Sequence, residues 1–290
     1  MDIQNQFKQL CKMTAICTLL MSTLSFGALI GGNKVMASNR NDAACRSMEQ
    51  LYNNPQQRIV ADDNELNSIM SKFIYADINE QSKLPAWSKE LLKLAVLTAN
   101  NTPEEIPLHV QGALKAGATP IQIRETIIHT LPYVGMSRVQ PALKAMYKAF
   151  KENDVKLPLP NNATVTDATR HEAGLAIQKE IFGSAIDKMN ASAPADQKHI
   201  NYNLSANCFG DFYTRKGLDL KERELITFTA IIAMGGCEPQ AKAHVTGNLA
   251  VGNTRKQLLD AVTIALPYIG YPKTLNAIAA INSIVPAKEQ

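Results

Sequence analysis

Apolar residues recur at helical spacing along most of the chain. In segment 88–99, which is rich in leucine, lysine and alanine, they return every three to four residues, the period of an α-helix with a buried face. No segment alternates apolar and polar residues in the sustained way of a half-buried strand. The predicted helices cover residues 88–99, 103–117, 119–135, 139–150, 222–234, 239–251, 254–269 and 274–284. The sequence therefore predicts an all-α fold.

Helix starts and ends are marked by capping residues. Thr102 and Thr119 are each followed by a proline, and Glu105 lies three residues after Thr102, which is the spacing of a capping box. Gly117 and Gly135 stand where two helices would end, as C-terminal caps. We therefore expect helices to begin at both threonines.

The chain contains two copies of one segment. Residues 108–135 read LHVQGALKAGATPIQIRETIIHTLPYVG, and residues 243–270 read AHVTGNLAVGNTRKQLLDAVTIALPYIG. Identical pairs at this constant offset include His109 with His244, Gly112 with Gly247, Gly117 with Gly252, and the Leu-Pro-Tyr of 131–133 with that of 266–268. Such self-similarity at a fixed period indicates a tandem duplication.

The first 37 residues have the pattern of a secretory signal. Lys8 and Lys12 precede an apolar run at 13–26, and small residues follow as far as Ala37. Export with cleavage after Ala37 is the primary interpretation, and a cytosolic protein is one alternative. An uncleaved anchor is the other, because residues 13–32 are about long enough to cross a bilayer. We expect a periplasmic or secreted mature chain without further contact with a membrane.

These features divide the chain into five parts. Proline and asparagine at 157–162 break periodic structure and indicate a linker. The predicted parts are a signal peptide at 1–37, an N-terminal segment at 38–61, a first repeat at 62–152, a linker at 153–167 and a second repeat at 168–286.

Composition excludes several functional classes. With 46% hydrophobic and 19% charged residues, the chain has the composition of a globular protein. The net charge of +4 falls to about +2 without the first 37 residues, and no basic run marks a nucleic-acid surface. The sequence also lacks the spacing of a structural zinc site, a P-loop, a GxGxxG turn or a GxSxG elbow. We expect no metal or cofactor, and small molecules and other copies of the chain as partners.

Cys237 is a candidate nucleophile. It stands at the predicted N-terminus of a helix, where the positive end of the helix dipole stabilises a thiolate. Gln240 and His244 follow three and seven residues later, on the same helix face. The alternative is that Cys237 is a small buried apolar residue.

Acid–base catalysis is the second candidate chemistry. His109 and His244 carry imidazoles that titrate near neutrality, unless both are helix-packing residues inherited with the repeat. Glu90 precedes His109 by 19 residues, and Glu224 precedes His244 by 20. These carboxylates are either buried acids near the histidines or ion-pair partners of the basic residues directly before them.

Four further residues are candidates for substrate binding. Glu125 and His129 share a helix face through their spacing of four, so they either bind substrate or form a solvated pair. Tyr133 and Tyr268, from the repeated Leu-Pro-Tyr, either pack at a proline kink or line a pocket.

The motifs of both repeats resemble those of the carboxymuconolactone decarboxylase family. In the second repeat they are Arg223-Glu224-Leu225-Ile226, Cys237-x-x-Gln240-x-x-x-His244, Gly252-Asn253-Thr254 and Pro267-Tyr268-x-Gly270. The resemblance covers nearly all of residues 66–284. It implies an AhpD-like all-α fold and assembly into trimers or hexamers, which for this chain would be a trimer-like ring of two-repeat chains.

The family includes lactone decarboxylases and thiol-dependent alkylhydroperoxidases. In the peroxidase branch a glutamate precedes Cys-x-x-Cys-x-x-x-His, a pattern that Glu224, Cys237 and His244 match. The second cysteine of that pattern is Gln240 here, so a resolving thiol would have to come from outside the site. The Glu125 and His129 segment resembles the decarboxylase branch.

Three functional hypotheses follow. The first is a cofactor-free lyase acting on a small organic acid or lactone, in which His109 or His244 moves a proton and Glu90 or Glu224 orients it. The second is a thiol antioxidant enzyme using Cys237 and an external thiol. The third is a non-enzymatic oligomeric binding protein. The missing second cysteine counts against the second hypothesis, and export counts against a role in cytosolic aromatic catabolism.

Overall fold

The computed structural model describes residues 40–53 and 63–287, and all regular structure in them is helical. This confirms the all-α prediction, whereas the predicted signal peptide at 1–37 lies outside the described residues. The chain divides into two compact units, and the division falls between Glu80 and Gln81 in the sequence. None of the described helices combines the length and apolar character that crossing a membrane requires.

The helices are numbered here in chain order. Up to the boundary they are α1 (Arg40–Leu51), α2 (Asn64–Lys72), the π-helix π1 (Phe73–Ile78) and α3 (Asn79–Gln81). Those of the second unit are α4 (Ala86–Asn100), α5 (Ile106–Lys115), α6 (Pro120–His129), α7 (Leu131–Val134), α8 (Met136–Glu152), α9 (Arg170–Phe182), α10 (Ala185–Ser192), α11 (Lys198–Asn203), the π-helix π2 (Leu204–Tyr213), α12 (Leu220–Met234), α13 (Glu238–Ala250) and α14 (Arg255–Ile284).

In the first unit, α1 packs against π1. The guanidinium of Arg40 donates to both carboxylate oxygens of Asp77, with 2.9 Å between Nε and Oδ1. The second unit contains the same arrangement in α9 and π2, where Nε of Arg170 lies 2.9 Å from Oδ1 of Asp211. The internal equivalence therefore begins at α1, upstream of residue 62, where the sequence predicted the first repeat to start.

Two equivalent helices, α4 and α12, pack against each other in the core of the second unit. Every residue from 89 to 99 in α4 and from 223 to 233 in α12 is buried. Helices buried on all sides lack a solvent-facing stripe for their charged residues. The glutamates, the lysines and the arginine in these segments therefore need partners inside the protein.

The helix boundaries agree with the predicted caps in one case and differ in another. The hydroxyl oxygen of Thr119 accepts the N–H of Gln122 at 3.1 Å in a full capping box, as predicted. Thr102 does not cap α5, which begins at Ile106. The reason is that α4 ends in a left-handed residue, Asn101 (φ 59°), and the N–H of Thr102 then bonds back to Leu97 at 3.0 Å.

Proline and glycine interrupt the helices near the repeated Leu-Pro-Tyr. The helix breaks between His129 and Leu131 ahead of Pro132, which confirms the predicted kink. In the second repeat α14 continues through the motif, and its backbone leaves helical geometry only at Gly270 (φ 74°). Both breaks leave a tyrosine at the end of a helical segment.

The predicted linker is attached to the first repeat. The carbonyl of Pro160 accepts a hydrogen bond from Arg124 at 2.9 Å, and the amide of Asn162 lies 3.4 Å from Oε1 of Glu125. The carbonyl of Asn162 also accepts the N–H of Lys216 at 3.0 Å. The linker therefore contributes contacts around Glu125.

Candidate active site

Glu224 and His244 form a buried pair in the second repeat. Glu224 on α12 has no exposed surface, and His244 on the adjacent α13 is 8% exposed. Nδ1 of His244 lies 2.8 Å from Oε2 of Glu224. A carboxylate only accepts, so Nδ1 carries the hydrogen and Nε2 is the basic nitrogen. Nε2 makes no hydrogen bond with any described residue.

Tyr213 holds the other oxygen of the same carboxylate. Its hydroxyl donates to Oε1 of Glu224 at 2.6 Å, and lies 2.9 Å from the Tyr133 hydroxyl and 3.0 Å from that of Thr227. Burial, reinforced by the charge of Glu224, raises the pKa of Tyr213 well above its ordinary value. Tyr213 therefore stays a phenol, and a hydrogen-bond donor, throughout the neutral range.

Aromatic rings enclose the His244 imidazole. The rings of Tyr133 and Phe182 both meet it edge to face, with centroids 5.5 Å away. Tyr133 belongs to α7 of the first repeat, so the first repeat supplies one wall of the second repeat's site. The thiol of Cys208 donates to the Tyr133 hydroxyl at 3.6 Å. Burial raises the pKa of the Cys208 thiol to about 12.

The first repeat has an equivalent pair with a different neighbour. Nδ1 of His109 lies 2.7 Å from Oε2 of Glu90, while Nζ of Lys93 lies 2.7 Å from Oε1. Tyr268 of the second repeat meets His109, with its hydroxyl 3.4 Å from Nε2 and ring centroids 6.0 Å apart. The tyrosines of the repeated motif are thus exchanged between the repeats, so that the tyrosine of each repeat packs against the histidine of the other.

The charge state of Glu90 follows from its partners. Burial alone would raise the pKa of Glu90, but the charge of Lys93 and the contacts with His109 outweigh it and lower the pKa to about 2. Glu90 is therefore an anion in a buried ion pair.

Glu125 and His129 do not form a solvated pair, because both are fully buried. Glu125 accepts from Arg215 at 2.7 and 2.9 Å and from Arg124 at 3.2 Å, and Arg223 lies 3.8 Å away. Arg223 is thus directed to Glu125, and not to the neighbouring Glu224 as the ion-pair interpretation proposed. No motif in the sequence predicted this arginine cluster.

His129 links that cluster to Tyr213. NH1 of Arg223 donates to Nδ1 of His129 at 3.2 Å, and Nε2 of His129 lies 3.0 Å from the Thr227 hydroxyl. Burial, together with the charge of Arg223, lowers the pKa of His129 well below its ordinary value. His129 is therefore neutral, with its hydrogen on Nε2.

The structure does not join Cys237 to His244. Cys237 is half-buried at the N-cap of α13, without a side-chain hydrogen bond to any described residue, and helix rise places it about 10 Å along the axis from His244. It lines a cavity of about 20 Å³ with Lys273 and Gly235, and His244 is not part of that lining. Gln240 is exposed. In the described part of the chain, no cluster of three or more histidine, cysteine or carboxylate residues could hold a metal ion.

The sequence contained a signal for the difference between the two sites. The offset of 134 residues that pairs Glu90 with Glu224 also pairs Lys93 with Thr227. Both positions are buried and lie one helical turn after the glutamate. Because one holds a charged residue and the other a neutral one, the two carboxylates are predicted to have different surroundings. Tyr213 carried no such signal, because its role depends on the path of π2.

Gly247 lets α13 approach Glu224, and its replacement by alanine is expected to destabilise the protein. A Cβ there would lie 2.5 Å from Oε2 of Glu224 and 3.1 Å from the side chains of Ile181 and Phe182. Overpacking costs about 1–3 kcal/mol, of which the better helix propensity of alanine offsets about 1 kcal/mol. Urea unfolding should therefore show a lower free energy of unfolding.

The matched control is Thr246→Ala, an exposed position on the same helix, which should leave the free energy of unfolding nearly unchanged. A Gly247→Ala protein as stable as this control would show that the contact with Glu224 relaxes without cost.

The chain is similar in sequence to proteins of a known family. The model of the Carboxymuconolactone decarboxylase family matches residues 65–148 and 202–283, one region in each repeat. A 4-carboxymuconolactone decarboxylase of Acinetobacter baylyi is 24% identical over 88 residues, which are 30% of this chain and 66% of that relative. An uncharacterised 15.0 kDa protein of Paracoccus denitrificans is 28% identical over 107 residues, which are 37% of this chain and 75% of that protein. Since the two matched regions cover more than half of the chain, it belongs to the carboxymuconolactone decarboxylase family.

Proposed function

We propose that this protein is a cofactor-free acid–base enzyme that decarboxylates a carboxylated lactone or a related small organic acid, with His244 as its catalytic residue. One observation carries the proposal. Buried Glu224 fixes the imidazole of His244 at Nδ1, and Nε2 of the same ring has no hydrogen-bond partner among the described residues. The name of the Acinetobacter relative, 4-carboxymuconolactone decarboxylase, supports this substrate class.

The site has the groups that such a reaction needs. When the bond between carbon and carboxylate breaks, carbon dioxide leaves and the electron pair moves into the conjugated carbonyl of the lactone. Protonated Nε2 of His244 then donates its proton to a carbon of the resulting enolate, and water restores that proton. Glu224 stabilises the imidazolium between these steps, at a distance of 2.8 Å.

The test is turnover of 4-carboxymuconolactone by the purified full chain, followed as released carbon dioxide. In deuterium oxide, the product should carry one carbon-bound deuterium, either at the carbon that lost the carboxylate or at a carbon conjugated with it, because these carbons share the charge of the enolate. Absence of turnover with this lactone and with a panel of related carboxylated lactones would contradict the proposal.

A peroxidase remains the second candidate, because Cys237 is a half-buried free thiol at a helix N-terminus. Under the primary proposal, Cys237→Ser should leave decarboxylation within about twofold of the unmodified protein, since the thiol contacts neither Glu224 nor His244. The same variant and the unmodified protein should also be compared in the reduction of an alkyl hydroperoxide by an added dithiol. A large loss of decarboxylation in Cys237→Ser would contradict the acid–base mechanism.

A further inference from the structure

Four hydrogen bonds in succession connect the arginine cluster with the Glu224 carboxylate, and we call this series the donor chain. Its links join the Arg223 guanidinium to Nδ1 of His129 (3.2 Å), Nε2 of His129 to the Thr227 hydroxyl (3.0 Å), that hydroxyl to the Tyr213 hydroxyl (3.0 Å), and the latter to Oε1 of Glu224 (2.6 Å). All five residues are at most 2% exposed. Hydrogen bonds between such buried groups are strong, because the surrounding dielectric is low.

The two ends of the donor chain fix its direction. The Glu224 carboxylate can only accept, so the single hydrogen of the Tyr213 hydroxyl is directed to it. The Thr227 hydroxyl must then donate to Tyr213, and it accepts the Nε2 hydrogen of His129 in turn. At the other end a guanidinium can only donate, which makes Nδ1 of His129 the acceptor. Both ends therefore impose the same order of hydrogens.

Tyr213 has no hydrogen-bonding capacity left for a substrate. The Tyr133 hydroxyl lies 2.9 Å from the Tyr213 hydroxyl, whose hydrogen is already directed to Glu224, so Tyr133 donates as well. The Tyr213 oxygen thus accepts two hydrogen bonds, from Tyr133 and Thr227, and its hydroxyl donates one. This is the full capacity of a phenol. Tyr213 therefore acts through Glu224.

The donor chain determines how the acid–base pair is held. Oε1 of Glu224 is occupied by Tyr213, and Oε2 is left for Nδ1 of His244 at 2.8 Å. A carboxylate that is bound at both oxygens keeps one orientation, so the imidazole and its Nε2 keep one direction as well. Each donor in such a series polarises the next one. The Tyr213 hydroxyl is therefore a stronger donor to Glu224 than an isolated phenol would be.

We infer that the donor chain positions the acid–base pair of the second repeat, and that His129 and Thr227 are positioning residues although neither is hydrogen-bonded to that pair. His129 lies on α6, so the first repeat takes part in orienting the carboxylate of the second. The inference rests on the proposed function. It gives His129 a role different from the substrate binding that its spacing from Glu125 suggested.

The first experiment removes the middle of the donor chain. Thr227→Val keeps the shape of the side chain and removes its hydroxyl, so Tyr213 loses one of its two donors. We expect kcat with 4-carboxymuconolactone to fall about tenfold in the full chain and KM to stay within about twofold. Thr227→Ser, which restores the hydroxyl, should bring kcat back to within about threefold of the unmodified protein. A change in KM alone, or no recovery with serine, would overturn the inference.

Thr229→Val is the matched control. Thr229 is as buried as Thr227 and lies on the same helix, but its hydroxyl donates to the carbonyl of Leu225 at 2.7 Å, within α12. Its replacement should leave kcat and KM unchanged. An equal loss of kcat in this control would show that removal of any buried hydroxyl from α12 lowers turnover, and would contradict the donor chain.

A double variant tests whether the hydroxyls act as one series. Tyr213→Phe removes the last donor and should lower kcat at least as much as Thr227→Val. Because both changes interrupt the same series, the double variant should lose no more than Tyr213→Phe alone. Losses that multiply in the double variant would show that the two hydroxyls act independently, and the inference would fail. Thermal unfolding verifies the folded fraction, and Tyr213→Phe with the measurement below still decides if Thr227→Val does not fold.

A further measurement does not depend on turnover. The ¹⁵N chemical shifts of labelled histidines, assigned by single histidine replacements, show which ring nitrogen carries the hydrogen. His129 should be neutral at pH 7 with its hydrogen on Nε2, and Tyr213→Phe and Thr227→Val should shift the His244 nitrogens whereas Thr229→Val should not. A hydrogen on Nδ1 of His129, or His244 nitrogens that do not respond, would overturn the inference. Should the shifts behave as expected while no lactone reacts, the proposed function would fail and the positioning of the pair would stand.

Discussion

Replacing Glu224 with glutamine is expected to lower turnover by about 100- to 10,000-fold, the range that acid–base groups contribute, while the protein stays folded. Both carboxylate oxygens accept hydrogen bonds, from Tyr213 at 2.6 Å and from His244 at 2.8 Å. An amide has only one acceptor oxygen, so its NH₂ group would face one of these donors. If it faces His244, the hydrogen of the imidazole must move to Nε2, and the basic nitrogen is lost.

The measurement is kcat/KM with 4-carboxymuconolactone, together with thermal unfolding to verify the folded fraction. Glu90→Gln is the matched control, since it makes the same change in the equivalent pair of the first repeat, and we expect it to alter turnover far less. A Glu224→Gln protein that keeps more than about a tenth of the activity would exclude Glu224 from the mechanism.

The second large effect concerns stability. Glu125→Gln is expected to lower the free energy of unfolding by about 3–5 kcal/mol, the usual cost of removing one partner from a buried ion pair. Glu125 is fully buried and is the carboxylate that the guanidiniums of Arg124, Arg215 and Arg223 share. Without its charge, two of these arginines would remain buried beside a neutral amide.

Urea unfolding of the full chain measures this effect. The control is Glu152→Gln, which makes the same chemical change in an exposed pair with Lys148 and should change the free energy of unfolding by less than about 0.5 kcal/mol. If Glu125→Gln lowers the free energy of unfolding as little as this control does, the arginine cluster does not depend on the charge of Glu125.

The local features of the fold were predictable because they depend on neighbours in sequence. The capping box at Thr119 and the break before Pro132 each follow from residues within one helical turn. The prediction for Thr102 was wrong because the left-handed Asn101, a residue outside that motif, determines how α4 ends. Helix period and repeat offset were therefore sufficient to predict the fold class, but they predicted the helix boundaries less accurately.

The candidate site was predictable only where the repeat itself carried information. The similar spacing in the two copies, 19 residues in the first and 20 in the second, identified both glutamate–histidine pairs. The exchange of Tyr133 and Tyr268 depends on packing between the repeats, over separations in sequence of more than 100 residues. The position of Cys237 relative to His244 was also a tertiary matter, because the cysteine precedes α13 and faces Lys273.

The exchanged tyrosines have a consequence for how such a chain can evolve. In a symmetric dimer of identical one-repeat chains, a mutation that introduced a lysine beside the glutamate would change both sites at once. Fusion into one gene removes that restriction, so the copies can diverge separately. The first repeat nevertheless supplies Tyr133 to His244, so selection on the second site also preserves the first. Even a copy without chemistry of its own would then be retained for the side chain that it supplies.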